Sequence, residues 1–172
     1  MNRFPVFGLL IAAIVFAVDQ ATKYAVTVPL GLDYPGAVRN ILPIFDLRFV
    51  PNEGVSLGLL RAGSDGSRWA LVALTGAIAL GVLVWMTRER NRQDLIALGM
   101  VLGGAIGNIV DRARFGYVVD FADLHFGDFR PFLVFNVADT AITVGVLVLL
   151  VRALLVRNRP GGTRVSVENS NA

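Results

Sequence analysis

Residues 132–151 read FLVFNVADTAITVGVLVLLV, twenty positions with one ionisable side chain, Asp139. A helix needs about 20 apolar residues to cross the hydrocarbon layer of a bilayer, and this stretch has that length. Working outward, three more apolar segments stand out: Phe4 to Val28, interrupted by Asp19-Gln20 and Lys23; Trp69 to Thr87; and Leu95 to Val110. The last is short for a span and has room to extend into its polar end. Of the 172 residues, 55% are hydrophobic and 17% charged. A soluble domain of this size cannot bury so much apolar side chain, because a folded surface still needs polar cover. Lipid is therefore the solvent for much of the surface. The expected fold is an all-α membrane protein, one four-helix transmembrane bundle over residues 1–156. Its helices are expected at about 4–28, 69–87, 95–112 and 132–156. A cleaved signal peptide is the alternative reading of the first segment; against it, three spans follow and no clean small-residue cleavage site precedes Asp19.

Composition removes several chemistries. Cysteine is absent, which excludes disulfides, thiolate catalysis, iron–sulfur clusters and Cys-based zinc sites. The single histidine, His125, speaks against a His-rich metal centre, so neither metal nor cofactor is expected. Sixteen basic residues against thirteen acidic give +3, and fifteen of the sixteen are Arg. They cluster beside apolar runs, which reads as membrane topology rather than nucleic-acid binding. The two sides of the membrane carry equal basic counts. Density decides the orientation: Arg88, Arg90 and Arg92 crowd one very short loop, and short juxtamembrane stretches dominate orientation. Both termini are then cytoplasmic.

The first loop is more than a linker. In Ile44-Phe45-Asp46-Leu47-Arg48-Phe49-Val50 the apolar residues alternate with polar ones, as in a half-buried strand, and a turn signal follows at Pro51-Asn52-Glu53-Gly54. A small extracytoplasmic β element is expected at about 38–60, lying on the outer membrane surface. The tail 157–172 is polar and is expected to be disordered.

With the helices alternating in direction, Asp19, Lys23, Asn52, Asn108, Asp111, Arg112, Asp120, Asn136 and Asp139 all fall at the non-cytoplasmic pole, while the opposite halves of the same helices are almost purely apolar. Asp139 lies about two turns, roughly 10 Å, into the fourth segment, where a carboxylate is expensive and usually functional. Asn136, Asp139 and Thr143 stripe one face; a structural interhelical hydrogen bond is the alternative. Gly99, Gly103 and Gly107 form a small-residue ladder for close helix packing, and Gly104, Asn108 and Asp111 occupy a neighbouring face. Asp111, beside Arg112 and near Arg114, reads as ion-paired and structural. Asp120, in a loop and with no adjacent cation, is the better partner for Asp139: two carboxyls in apolar surroundings have their pKa values pushed apart. One then activates water and the other polarises a carbonyl. Spacing alone leaves that pairing open. Asp19 and Lys23, in the favourable acid-first order, read as an ion pair; a Ser56–Lys23 hydrolase is the weaker alternative, since the aspartate would keep the lysine protonated. A proton-coupled transporter and a structural assembly subunit are the competing classes.

Five blocks in order carry a resemblance: Val18-Asp-Gln-Ala-Thr-Lys23; Asn52-Glu-Gly-Val-Ser-Leu-Gly58; Gly103-Gly-Ala-Ile-Gly-Asn-Ile-Val-Asp-Arg112; Gly116-Tyr-Val-Val-Asp-Phe121; and Phe135-Asn-Val-Ala-Asp-Thr140. With them the chain resembles the lipoprotein signal peptidases (signal peptidase II). The resemblance implies a four-helix aspartic endopeptidase of the bacterial inner membrane, its site toward the periplasm. It implies cleavage of the signal peptide of prolipoproteins just before the diacylglyceryl-modified cysteine, by a monomer in contact with membrane lipid, with no nucleic-acid partner. The catalytic aspartates it implies are Asp120 and Asp139. Asn108, Arg112 and Asn136 match positions that line or buttress the site, and Asp19, Lys23, Asn52 and Gly54 match further motif positions; Asp111 joins the supporting set. Leu57 stands where the family usually has an aromatic residue.

Overall fold

A computed structural model describes residues 5–54 and 65–157. Four helices are long and apolar enough to cross a membrane: α1 (Val6–Thr27), α2 (Asp65–Arg88), α3 (Arg92–Phe115) and α4 (Val137–Arg157). Ser56, Leu57 and nearly all of the tail lie outside the described residues. The chain is a multi-pass membrane protein.

The expectation of an all-α fold needs correction. Three strands form one antiparallel sheet in the order β1 (Val38–Leu42), β2 (Phe45–Asn52), β3 (Val118–Leu124). Only the first two come from the first loop. The third lies between α3 and α4, so Asp120 sits on a strand and not in a loop. Its ladder partner on β2 is Val50, and Asn52 at the end of the same strand donates to its side chain. The run Val118-Val119-Asp120-Phe121 is too short to show a strand period by itself, and the ladder to β2 supplies what local pattern does not.

α3 is the central helix, with twelve buried residues against five on α1 and three on α2. The glycine ladder serves α1. A Cβ on Gly99 would stand 2.5 Å from the Gly8 carbonyl oxygen, and one on Gly103 would stand 2.4 Å from that of Ala12. Gly104, on the neighbouring face, admits α4, where a Cβ would meet the Ala138 carbonyl oxygen at 2.5 Å. Backbones this close are the usual reason for small residues between membrane helices. The start of α3 is capped by Asn91, whose side chain accepts from the Gln93 N–H at 2.9 Å. Its end is closed by Gly116 in the left-handed region, φ 91°, a conformation glycine adopts without strain. That turn feeds the chain directly into β3.

α4 starts at Val137 and not at Phe132, because Phe135 is still in a β-bridge with Ala122. Asp139 is consequently in the first turn of α4, at the helix start rather than two turns inside it.

Candidate active site

The sheet, the end of α1, the end of α3 and the start of α4 converge on Asp120 and Asp139. Asp120 is 2% exposed. One of its carboxylate oxygens accepts from Asn52 Nδ2 at 2.8 Å, the other from Asn136 Nδ2 at 2.7 Å. Asp139 accepts from Asn108 Nδ2 at 2.9 Å. It is also half of a reciprocal cap: the Asp139 N–H donates to Asn136 Oδ1 at 2.9 Å, and the Asn136 N–H donates to Asp139 Oδ2 at 3.3 Å. This is capping-box geometry. It explains why the stripe Asn136–Asp139 occurs where a helix begins, and it fixes the rotamer of each side chain. Asn136 therefore touches both aspartates, with its amide on Asp120 and its carbonyl on the Asp139 backbone.

The surroundings treat Asp120 unusually. Burial pushes its carboxyl up to about 7, against the Asn52 and Asn136 amides, which favour the charged form, and with help from the negative charge of Asp139. Loss of hydration outweighs two hydrogen bonds, the balance expected for a carboxyl with few charges to face. Lys23 acts on the carboxyl through space and lowers it, by less than burial raises it.

A second cluster lies behind the first. Lys23, 4% exposed, reaches Asp19 at 2.9 Å, Asp111 at 2.7 Å and Asn108 Oδ1 at 3.2 Å. Asn108 thereby joins Lys23 to Asp139. Asp19 accepts from the Ala138 N–H at 2.9 Å, placing a carboxylate at the positive end of α4. Asp111 also accepts from the Val119 N–H at 3.2 Å, tying α3 to β3 one residue before Asp120. The expected Asp19–Lys23 pair is present. Asp111 is ion-paired too, but to Lys23 and not to Arg112, because adjacent helical residues point some 100° apart and do not face each other.

Arg112 lies within electrostatic reach of Asp139, Asp120 and Asp111. Among the described residues its Nε is buried without a hydrogen-bond partner. Gly54, φ 77°, donates its N–H to Asn52 Oδ1 at 2.9 Å. A Cβ there would meet Leu71 Cδ1 at 2.7 Å and Arg112 Nη2 at 3.1 Å, so both its conformation and its packing call for glycine. Two contributors escape the sequence reading. Gln20 donates to Asp111 at 2.9 Å; its i, i+3 spacing from Lys23 is the signal that shows the shared face. Arg68 donates to the carbonyls of Arg112 and Ala113 at 2.7 and 2.6 Å, closing the end of α3, and no local pattern signals that. The described residues contain no group of three or more His, Asp or Glu placed to hold a metal.

Chemically, two inequivalent carboxyls, three amide donors and a guanidinium donor surround one region at the sheet end of the bundle. The chain is also similar to known proteins along nearly its whole length. The family described as Signal peptidase (SPase) II matches residues 11–155. A "Lipoprotein signal peptidase" of Sphingopyxis alaskensis is 56% identical over 155 residues, covering 90% of this chain and 89% of the relative. One of Rhizorhabdus wittichii is 55% identical over 165 residues, covering 96% and 93%. A solved structure titled a bacterial membrane enzyme superposes with TM-score 0.76 at 27% identity, covering 90% of this chain and 97% of that one.

Proposed function

The chain belongs to the signal peptidase II family, and from that premise we propose that it cleaves the signal peptide from diacylglyceryl-modified prolipoproteins by aspartate-activated water. The observation that carries the aspartic mechanism is the Asn136 bridge. It holds Asp120 and Asp139 in one hydrogen-bonded unit in which burial keeps a proton on Asp120 up to about pH 7.

With the shared proton on Asp120, Asp139 is the base. Water attacks the scissile carbonyl carbon while Asp139 takes one of its protons and Asp120 gives its proton to the carbonyl oxygen. The product is a neutral gem-diol. In collapse, Asp139 delivers its proton to the amide nitrogen, the C–N bond breaks, and a diol hydroxyl returns a proton to Asp120. The pair ends as it began. Division of the two roles between unlike carboxyls is the general pattern for acid–base work by two aspartates. Arg112 Nε, unpartnered among the described residues, offers a donor to a substrate carbonyl, and Asn52 and Asn136 hold Asp120 in place throughout.

A lipid-bearing substrate accounts for a peptidase whose site opens at the membrane surface: the acyl chains stay in the bilayer while the peptide reaches the sheet. On this reading the enzyme is a monomer in the bacterial inner membrane, both termini cytoplasmic and the site periplasmic. The test is cleavage of a purified diacylglyceryl-modified prolipoprotein by the wild-type chain beside Asp120→Asn and Asp139→Asn. Both variants should be inactive; full cleavage by either would refute the dyad.

A further inference from the structure

The sheet is fixed to the bundle at one end and is apolar at the other. Its near end is held by Gly116 and by the Asp111–Val119 hydrogen bond. From Val118 to Leu124 it extends seven residues, about 20 Å at the usual strand rise. At the far end two turns lie side by side. The β1–β2 hairpin turn is tied to the segment after β3 by the His125 N–H donating to the Ile44 carbonyl at 3.0 Å. The chain then makes a tight reversal, with Phe126 and Phe129 exchanging backbone hydrogen bonds at 2.8 and 3.2 Å around Gly127, φ 62°.

Six large apolar side chains are displayed there: Leu42 57% exposed, Ile44 44%, Phe126 53%, Phe129 66%, Phe132 61% and Leu133 90%. A contiguous patch of this kind facing water is rare on a soluble surface. The same end carries cations. Arg130 remains 44% exposed although paired with Asp123 at 3.2 Å, and Arg39 on the edge strand is exposed. The patch is also continuous with the membrane-spanning surface, since four residues after Leu133 the chain enters α4.

We propose that this distal edge is a membrane-docking edge, in which the Phe126–Phe129 turn, Phe132–Leu133 and the β1–β2 turn insert into the lipid of the outer leaflet. Aromatic and aliphatic side chains ringed by arginine are the composition of an interfacial anchor. Asp128, exposed at the apex of the turn, sets the depth: the turn stops at the boundary of headgroups and acyl chains and does not enter the hydrocarbon centre. A sheet held at both ends, by α3 and by lipid, lies along the membrane plane and keeps the height of β3 constant. That position of the sheet does not depend on whether the chain is an aspartic peptidase.

The absence of cysteine makes the test direct. Single nitroxide labels at Phe126→Cys, Phe129→Cys and Leu133→Cys are read in lipid nanodiscs by power saturation with oxygen and a water-soluble nickel chelate. Leu150→Cys, on the outward face of α4, gives the lipid value, and Asp65→Cys, whose side chain is 92% exposed, gives the water value. Only variants that keep the wild-type melting temperature are read, and three positions keep the test open if one fails to fold. Oxygen-to-nickel accessibility at Phe129 and Leu133 should fall between the two references, well to the lipid side of Asp65, as for a label at the boundary of headgroups and acyl chains. A value matching Asp65 at either position would overturn the proposal.

Discussion

Replacing Asp120 by Asn should make the protein inactive and, at the same time, flatten the pH dependence of its stability. The carboxyl titrates at about 7 in the folded chain against an ordinary value of 3.8, a difference of about 3 units or about 4 kcal/mol in favour of the protonated form. Because the folded value is raised, the native state binds more protons than the unfolded chain between those limits. Stability from this group is therefore complete below about pH 4 and is lost as pH rises through 7. Between pH 5 and pH 8 the loss amounts to roughly 2–3 kcal/mol. The amide introduced by Asp120→Asn does not titrate, so the variant should lack that loss. Its own penalty is different in kind: two amides donate to the carboxylate oxygens of the wild type, and an Asn side chain accepts through only one terminus. One hydrogen bond is forfeited, about 1–3 kcal/mol, independent of pH. The informative quantity is thus the change between pH 5 and 8, not the stability at either. Reversible unfolding in mixed micelles at pH 5, 6.5 and 8 measures it, and contributions from the groups that both proteins share cancel in the comparison. Parallel curves for wild type and variant would refute the account of Asp120.

Other consequences are open to direct measurement. If Asp120 is the acid, kcat/KM should fall as pH rises above about 7, the apparent value belonging to the coupled pair; a rate that instead rises through pH 7 would exchange the two roles. Asn136→Ala removes an amide on Asp120 and the cap on Asp139, and should cost about 2–3 kcal/mol in unfolding experiments with a large drop in kcat. Asn136→Asp, which keeps the cap but sets a third buried carboxyl against Asp120, should recover neither stability at neutral pH nor rate. Lys23→Met leaves the buried Asp19 and Asp111 without their cation and should destabilise by about 3–5 kcal/mol; a melting temperature unchanged from wild type would show that water already screens the cluster. Gly103→Ala would place a methyl 2.4 Å from the Ala12 carbonyl oxygen and should cost about 1–3 kcal/mol, while Gly76→Ala on α2, which meets nothing within 4 Å, should be neutral or slightly stabilising in the same melt.

The boundary between what the residues disclose and what they conceal follows the range of the forces involved. Helices in lipid must satisfy every backbone group within their own segment, so a local count of apolar residues is enough to find all four. Even Gly99, Gly103 and Gly107 are legible as a packing face, because helical spacing is local, although which helix they receive is not. β3 is the opposite case. Its backbone partners lie on β2 and at Phe135, and nothing within Val118–Leu124 announces a strand, so local pattern leaves Asp120 in a loop. The same long-range pairing holds Phe135 out of α4, which is why Asp139 begins a helix instead of lying two turns inside one. Local chemistry, by contrast, does travel. The lack of a cation beside Asp120 singles it out, and in the folded chain burial is what dominates that carboxyl. Sequence neighbours give Asp111 the wrong cation for want of the third dimension: Lys23, on another helix, is 2.7 Å away in space. The site therefore owes its parts to short motifs and its geometry to the sheet, and a change that unties β3 from β2 should disable Asp120 while leaving the four-helix bundle folded.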